Sequence, residues 1–284
     1  DEEVQLIRLD TSVNSPRSEY SPVLTADGRQ LFYCRNDGFL MTSDENIRMA
    51  ERMADNWASS TSVPPFDGES NESPLGVSSD GNELLVFSEG RIMISSRTAE
   101  GWSKPQLIGE AINNTAWQGG ACFSADGNAL LFAARCPQTL GADLEDIDIF
   151  VSLKDADGQW GEPINLGPAV NTPLEDRSPY LHPDQKTLYF SSRGHGGLGE
   201  LDVYKSERLG DGWTNWSTPV NMGREINTVT SDWGYKVTTE GDQAYFAAGE
   251  GEQGSDIFFL TLPEDLRPEQ VSTVSGTIVD AADG

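Results

Sequence analysis

The chain has 284 residues, of which 46 are acidic and 19 are basic, so its formal net charge is −27. This balance excludes nucleic acid as a partner, because a phosphate backbone is bound by clustered lysines and arginines. It also argues against direct docking on anionic lipid, and no apolar run approaches the roughly 20 residues that cross a bilayer.

The first predicted element is a short strand within residues 4–14, which ends at Asn14. Its pattern matches the last strand of three later segments, which end at Asn113, Asn171 and Asn227. The last repeat of the chain lacks such a strand. We therefore expect the N-terminal strand to complete that repeat and close a ring, because an open ring would expose unpaired sheet edges.

Five segments then repeat one pattern, in which an apolar strand, a tight turn with an acidic residue and a second apolar strand follow each other. They cover residues 20–33, 73–87, 120–132, 178–190 and 234–246. Their turn acids are Asp27, Asp80, Asp126, Asp184 and Glu240, separated by 53, 46, 58 and 56 residues. That spacing is typical of a four-stranded propeller blade. The predicted fold is all-β, a five-bladed β-propeller of four-stranded blades.

The remaining strands of each unit are weaker in sequence. Third strands are predicted at residues 39–43, 91–96, 148–152, 202–206 and 256–260, where β-branched and aromatic residues form short runs. Fourth strands begin at Trp102, Trp160 and Trp213, with a degraded version near Trp57. Asp44 to Ala54 is predicted as the only helix.

The fifth unit ends after its third strand, so the propeller is assigned to residues 1–263. Residues 264–271 are predicted to be a polar linker. Residues 272–284 begin a new strand pattern, and we expect the chain to be a portion of a longer protein.

Three cysteines, Cys34, Cys122 and Cys136, have no regular spacing, which argues against a zinc site or a disulfide framework. Cys122 and Cys136 flank one predicted hairpin. Two alternatives stay open for them: a disulfide in an oxidising compartment, or buried thiols.

Propellers bind ligands at the mouths of their central channel, and eight residues before each turn acid stands a polar side chain. These residues are Glu19, Glu72, Gln118, Asp176 and Asp232. Such a ring is a candidate site for a cation, a basic peptide or sugar hydroxyls. The alternative is that each blade needs an acceptor there for backbone amides or an arginine of its neighbour. The next position differs in every unit, as a recognition surface would: Tyr20, Ser73, Gly119, Arg177 and Trp233.

Loops between the second and third strands are expected to share this mouth. They contribute Arg35, Arg135, Arg193 and His195, and the glycines around His195 are expected to allow a tight excursion with positive φ. The mouth bearing Trp117, Arg177, His195 and Trp233 is the predicted partner-binding face. Because His182 and His195 lack metal-ligand spacing, we predict no metal site and no cofactor.

Catalytic motifs are not evident. The chain has no G-x-S-x-G elbow and no evident Cys–His pair. Five-bladed glycoside hydrolases carry distinct acids in unlike blades, whereas the ring acids here are repeated equivalently. The prediction is therefore that the chain is not an enzyme. The alternative is a carbohydrate-binding or glycoside-hydrolase-like propeller that uses the carboxylates of the channel mouth.

The repeat S-P-x-x-x-x-D, the D-I-F-V-S strand and the W-x-x-P-x-N-L-G strand together resemble the TolB-like propeller repeat. Residues 191–204 and the strand after them resemble the propeller of OmpA-family envelope proteins, including the PorE-like component of the type IX secretion system. Residues 274–284 resemble the start of a carboxypeptidase-regulatory-like domain.

This resemblance implies a periplasmic, outer-membrane-associated scaffold. Its expected partners are envelope proteins or a peptide segment. Peptidoglycan would be bound only through a further domain that this chain does not include.

Overall fold

The structure, a computed structural model, describes residues 5–38, 44–54, 56–68, 70–135, 146–249, 254–272 and 274. Within these residues the chain forms 21 β-strands and one 3-10 helix, Glu264–Leu266. The strands form five antiparallel sheets around a central channel. The prediction of a five-bladed β-propeller with four-stranded blades is confirmed.

Strands are numbered in chain order from β1 (Ile7–Arg8), and the first strand of each blade lines the channel. Blade 1 consists of β2 (Ser18–Leu24), β3 (Gln30–Asn36), β4 (Glu45–Glu51) and β5 (Thr61–Ser62). Blade 2 consists of β6 (Glu72–Val77), β7 (Glu83–Ser88), β8 (Arg91–Thr98) and β10 (Gln106–Leu107), with β9 (Gly101–Trp102) paired to β8.

The other three blades follow the same order. Blade 3 consists of β11 (Gln118–Phe123), β12 (Ala129–Ala134), β13 (Asp148–Leu153) and β14 (Ile164–Asn165). Blade 4 consists of β15 (Asp176–Leu181), β16 (Thr187–Ser192), β17 (Asp202–Glu207) and β18 (Val220–Asn221). Blade 5 consists of β19 (Lys236–Val237), β20 (Gln243–Ala248), β21 (Asp256–Thr261) and β1.

The N-terminal strand closes the ring, as the sequence predicts. β1 pairs antiparallel with β21, with Ile7 opposite Phe259 and Arg8 opposite Phe258. Arg8 also forms an ion pair with Asp256, whose carboxylate lies 2.7 Å from the guanidinium Nε. The first residues of the chain therefore supply the outer strand of blade 5.

In four blades an asparagine that lies six residues after the fourth strand binds the third strand of the same blade. Its side chain accepts a backbone N–H and donates to the carbonyl of one third-strand residue. This pair of bonds joins Asn14 to Ile257, Asn113 to Ile92, Asn171 to Ile149 and Asn227 to Val203. In blade 1 the carbonyl of Phe66 accepts from the N–H of Ile47 instead, at 3.2 Å.

The helix predicted from Asp44 to Ala54 was wrong, because this stretch contains β4. All seven residues of β4 pair with β3, and Ile47 and Ala50 enter the core. Pairing with a neighbouring strand thus overrides the helix propensity of Glu, Arg, Met and Ala. The third strand expected at residues 39–43 lies outside the described residues.

Blade 1 also retains the tryptophan of the fourth strand. Trp57 forms an isolated antiparallel β-bridge with Arg52, and the guanidinium of Arg52 lies 5.1 Å from the centroid of the indole ring. The same cation–π arrangement joins Arg97 to Trp102, Lys154 to Trp160 and Arg208 to Trp213. Blade 1 therefore keeps the cation–π contact of blades 2, 3 and 4, although its fourth strand looks degraded in the sequence.

The core lies between adjacent blades. One cluster joins Leu131 and Val151 of blade 3 to Leu188 and Phe190 of blade 4, all of them buried. Fully burying one such side chain contributes about 1.5–3 kcal/mol. Apolar packing across the blade interfaces therefore holds the ring together.

The segment after the ring, predicted as a linker, lies against blade 4. Tyr189 donates its hydroxyl to the carbonyl of Leu266 at 3.2 Å, and the ammonium of Lys205 donates to the carbonyl of Arg267 at 2.9 Å. Lys186 forms an ion pair with Glu269 at 2.8 Å. Most of residues 272–284, the predicted start of another domain, lies outside the described residues. No helix in the described ranges is long and apolar enough to cross a membrane.

Candidate binding site

Each of the first four inner strands is interrupted by a β-bulge near the same mouth of the channel. The residue that follows the variable mouth position has positive φ in four blades: Ser21, Gly120, Ser178 and Gly234. A bulge of this kind turns the strand and re-aims its side chains. The bulges therefore direct the variable residues toward the channel mouth.

A pocket of about 500 Å³ occupies this mouth. All five variable residues that break the repeat line it: Tyr20, Ser73, Gly119, Arg177 and Trp233. Trp117 lines it as well. The structure thus brings together the residues from five blades that the sequence analysis predicted to form a recognition surface.

Two pairs of aromatic side chains line this mouth pocket. Trp233 contacts Tyr20 with their ring centroids 6.2 Å apart, and Trp117 contacts Phe87 at the same separation. The indole of Trp117 lies over Gly119, where a Cβ would come within 2.7 Å of it. Gly119 therefore allows Trp117 to lie against the strand.

Charged side chains complete the pocket. The guanidinium of Arg177 lies 5.1 Å from the centroid of Trp233 and donates to the carboxylate of Glu175 at 2.9 Å. Arg135 and Glu45 also line the pocket. Lys236 lines both this pocket and a smaller channel cavity of about 70 Å³. Burial lowers the pKa of Lys236.

The ring of repeated acceptors lies behind the pocket and does not line it. The carboxylate of Asp176 accepts the N–H and hydroxyl of Thr172, and that of Asp232 accepts the same groups of Thr228. Glu19 accepts from Ser15, Gln118 donates to Thr115, and Glu72 bonds Ser70. Each of these contacts is made to a serine or threonine two to four positions earlier, in the connection that enters the blade. The ring therefore fixes these connections locally, which differs from the expected acceptor for groups of a neighbouring blade.

Burial changes the acidity of this ring. It raises the pKa of Asp176 to about 7 and also raises the pKa values of Glu19 and Glu72. Within the ranges that the structure describes, no group of three His, Cys, Asp or Glu side chains is arranged to hold a metal ion.

His195 and Arg193 do not reach the mouth pocket. The ring of His195 packs against Phe190 and Tyr204, and its Nε2 lies 2.9 Å from the carbonyl of Val170. Arg193 pairs with Glu200 at 3.5 Å and is exposed. His195 therefore joins two blades. It does not line the mouth pocket, where the sequence analysis placed it.

The positive φ expected for the glycines around His195 occurs at one of the four positions. Only Gly196 has positive φ among them. A Cβ at Gly199 would lie 2.1 Å from the carbonyl oxygen of Thr230, and one at Gly197 would collide with Asp202. The close approach of the Thr230 carbonyl and of the Asp202 side chain, rather than φ, accounts for glycine at these two positions.

Two of the three cysteines are described, and both are buried free thiols. Burial raises the pKa of Cys34 to about 12 and also raises that of Cys122. Cys136 lies outside the described residues, so a Cys122–Cys136 disulfide stays a prediction.

The sequence reasoning missed several pocket residues, among them Phe87, Glu45, Glu175 and Lys236. Glu175 stands one residue before the ring position, and Lys236 is the only cation on an inner strand at its repeat position. Those departures from the repeat are signals that could have identified them. Glu45 had no such signal, because it lies in the stretch predicted to be a helix.

Comparisons with solved structures agree with this architecture. No protein-family model matches the chain, and no curated protein does. A TolB from Agrobacterium tumefaciens is similar at 17% identity with a TM-score of 0.54, over 88% of this chain and 78% of that one. A glycoside hydrolase is similar at 12% identity with a TM-score of 0.63, over 97% and 94%. The catalytic domain of an α-L-arabinofuranosidase from Coprinopsis cinerea is similar at 10% identity with a TM-score of 0.56, over 94% and 96%.

The TolB neighbours support the TolB-like part of the resemblance, as a shared fold. The prediction that the chain is not an enzyme is corrected by the others. Several glycoside hydrolases, including a catalytic domain, share this propeller over nearly its whole length. The fold is therefore compatible with catalysis, and the identities of 10–12% show no more than the fold.

The structure also removes one premise of that prediction. Glu45 begins the third strand of blade 1, and Glu175 precedes the first strand of blade 4, yet both line the mouth pocket. Two carboxylates in unlike positions of unlike blades therefore face one pocket.

Proposed function

We propose that this chain is a ligand-binding propeller of a bacterial cell-envelope protein, which captures a segment of a partner protein in its mouth pocket. The observation that carries this proposal is that the five residues that break the repeat all line one pocket. Tryptophan, tyrosine and arginine dominate the binding energy of protein interfaces. The pocket concentrates these residue types, while the repeated residues build the blades.

The envelope location rests on the resemblance of the repeat to TolB-like propellers, which the similar TolB structures support. A finer assignment follows from the resemblance of residues 191–204 and 274–284. It is a periplasmic, outer-membrane-associated scaffold in an OmpA-family, peptidoglycan-linked assembly similar to that of type IX secretion. In that assembly the propeller would hold a partner protein, and a further domain would bind peptidoglycan.

The test is capture of partners from a solubilised envelope extract, followed by calorimetric titration with the purified partner. Arg177→Ala and Trp233→Ala should each weaken binding about fivefold or more, the loss expected for an interface hot spot. Arg193→Ala is the matched control, because this exposed arginine does not line the pocket. Circular dichroism confirms that each variant folds. Pocket variants that fold and bind as the wild type does would place the binding surface elsewhere.

A glycoside hydrolase is the second candidate, favoured by one observation. Glu45 and Glu175 line the pocket from non-equivalent positions, and a pair of carboxylates is what glycosidases use as acid and base. Glu175 is held by Arg177 at 2.9 Å, which fixes its position.

Hydrolysis of 4-nitrophenyl α-L-arabinofuranoside and β-D-xyloside tests this candidate. Turnover that disappears in both Glu45→Gln and Glu175→Gln, and persists in Glu200→Gln, would establish it. Glu200 is exposed and pairs with Arg193 outside the pocket, so it is a matched control. A wild type without turnover on either substrate would remove this candidate for arabinosides and xylosides.

A further inference from the structure

Lys236 is a buried lysine on β19, the first strand of blade 5. Only 8% of its surface is exposed, and its ammonium lies 5.1 Å from the centroid of the Tyr180 ring. Within the described ranges, this ammonium forms no ion pair with a carboxylate and no hydrogen bond. Burying a lysine without such a partner is costly, so nearly all buried lysines are paired.

The propeller does not need a cation at this position. Lys236 stands two residues before Thr238, the first residue of the turn. The equivalent residues of the other blades are Val23, Gly76, Cys122 and Tyr180. Four blades therefore build the same inner strand without a positive charge, and the fold alone gives no reason for the lysine.

The position of Lys236 connects it to the mouth pocket. Lys236 lines both that pocket and the smaller channel cavity, which Tyr180 and Cys122 also line. Arg177 and Arg135 line the same pocket. An anionic group that enters between Trp117 and Trp233 would meet these cations, while the rest of the chain is strongly acidic.

We propose that the mouth pocket receives the C-terminal carboxylate of a partner polypeptide, with Lys236 as its counter-ion. This inference rests on the proposed function and names the part of the partner that is bound. A C-terminus brings one negative charge, which a buried ammonium neutralises, and C-terminal carboxylate capture is a recurring mode of peptide recognition. The aromatic pairs would hold the last side chains of the peptide.

Charge complementarity favours a peptide over an acidic polysaccharide. The net charge of −27 repels a polyanion that carries a carboxylate on every sugar. Glu45 and Glu175 line the same pocket and would instead attract basic residues upstream of a peptide C-terminus. The preferred ligand therefore has a free C-terminal carboxylate preceded by lysine or arginine.

Two hexapeptide libraries with the same randomised sequences test this proposal. One library ends in a free carboxylate and the other in a carboxamide. Both are passed over the immobilised wild-type chain, and retained peptides are resynthesised for titration. We expect free-acid peptides enriched in upstream basic residues to be retained, and their amides to bind at least about tenfold more weakly, as for loss of a charge-assisted bond.

Substitutions at Lys236 provide the second arm. Lys236→Met should lose the preference for the free acid and still fold, since it removes a buried charge. Lys236→Arg should keep most of that preference. The proposal is overturned if amides bind as well as acids, if neither library is retained, or if Lys236→Met binds as the wild type does. Lys236-dependent binding of tri-galacturonate without peptide binding would assign the carboxylate to a sugar and also overturn it.

The outcomes separate this inference from the proposed function. If peptides are captured and lost in Trp233→Ala but bound equally by Lys236→Met, the pocket binds a partner without recognising its carboxylate. If partner capture from envelope extract is insensitive to Trp233→Ala and Arg177→Ala, the proposed function itself fails.

Discussion

The side chain of Asn14 is bonded to the backbone of Ile257 across nearly the whole length of the chain. Its carbonyl oxygen accepts the N–H of Ile257 at 2.7 Å, and its amide donates to the carbonyl of Ile257 at 2.9 Å. Both residues are buried. The two ends of the propeller are thus joined by the same contact that holds the fourth strand in three other blades.

Removal of this contact should weaken ring closure. Asn14→Ala leaves the buried N–H of Ile257 without this acceptor, which costs about 1–3 kcal/mol, while the carbonyl of Ile257 keeps the N–H of Leu9 at 3.0 Å. We expect the melting temperature to fall by several degrees, at roughly 2–4 °C per kcal/mol. Deletion of residues 1–10, which removes β1, should lower it further. Asn114→Ala is the control, because this asparagine, which follows Asn113 in blade 2, is exposed. If Asn14→Ala and the deletion of residues 1–10 both had the melting temperature of the wild type, ring closure would not be a source of stability.

The pH dependence of stability should carry the signature of Asp176. Burial raises its pKa to about 7, above the value of about 3.9 expected in the unfolded chain. The folded state therefore binds more protons, so the contribution of this group is complete below about pH 4 and is lost as pH rises to about 7.

Asp176→Asn should remove this dependence, because the amide mimics the protonated acid. The wild type should lose up to about 4 kcal/mol of unfolding free energy, relative to this variant, between pH 4 and pH 8. Urea denaturation at the two pH values measures the difference. Asp211→Asn, at an exposed position, should follow the wild type. If the unfolding free energy changed equally between the two pH values in Asp176→Asn and in the wild type, the carboxyl of Asp176 would not titrate in this way.

Gly199 should not tolerate a side chain. A Cβ there would lie 2.1 Å from the carbonyl oxygen of Thr230 and 2.6 Å from that of Thr228, so the backbone must shift. Gly199→Ala should lower the unfolding free energy by about 1–3 kcal/mol. Gly212→Ala is the control, because nothing lies within 4 Å of its Cβ position. Equal thermal stability of the two variants would contradict the close approach.

The buried thiols should be unreactive in the native protein. Cys34 and Cys122 are buried, and burial raises their pKa values, so little thiolate is available to attack a reagent. In a Cys136→Ser variant at pH 8, 5,5′-dithiobis(2-nitrobenzoic acid) should react slowly until urea unfolds the chain. Rapid release of two equivalents from the native protein would refute this expectation.

The fold could be predicted from the sequence because a blade is specified by local signals. Apolar strands joined by acidic turns recur about every fifty residues. The contacts within one turn show why this repeat can be recognised in the sequence. In the turn after β6, Asp80 accepts the hydroxyl of Ser78 and the N–H of Asn82. These contacts span two residues, so the pattern that makes them is visible in the chain. Ring closure could be predicted because the pattern that ends at Asn14 recurs before Asn113, Asn171 and Asn227, although Asn14 contacts a residue at the far end of the ring.

The helix expected at Asp44 to Ala54 shows where local signals are insufficient. Its residues favour a helix, but seven pairs with β3 make it a strand. The ring of acceptors shows the same limit, since Asp176 reads as a mouth residue while its carboxylate is bound by Thr172. Sequence periodicity indicates the strand on which a residue lies, but it does not indicate which residue will form a hydrogen bond with its side chain.

The sequence by itself determined the number of blades, the closing strand and the five variable positions at the mouth. Tertiary structure alone decided that Glu45, Glu175 and Lys236 share a pocket with them, and that His195 does not. The physical reason is the distance along the chain between the residues that make contact. A blade is made by contacts between neighbouring strands, whereas the pocket is made by side chains from different blades, whose meeting depends on how the whole ring packs.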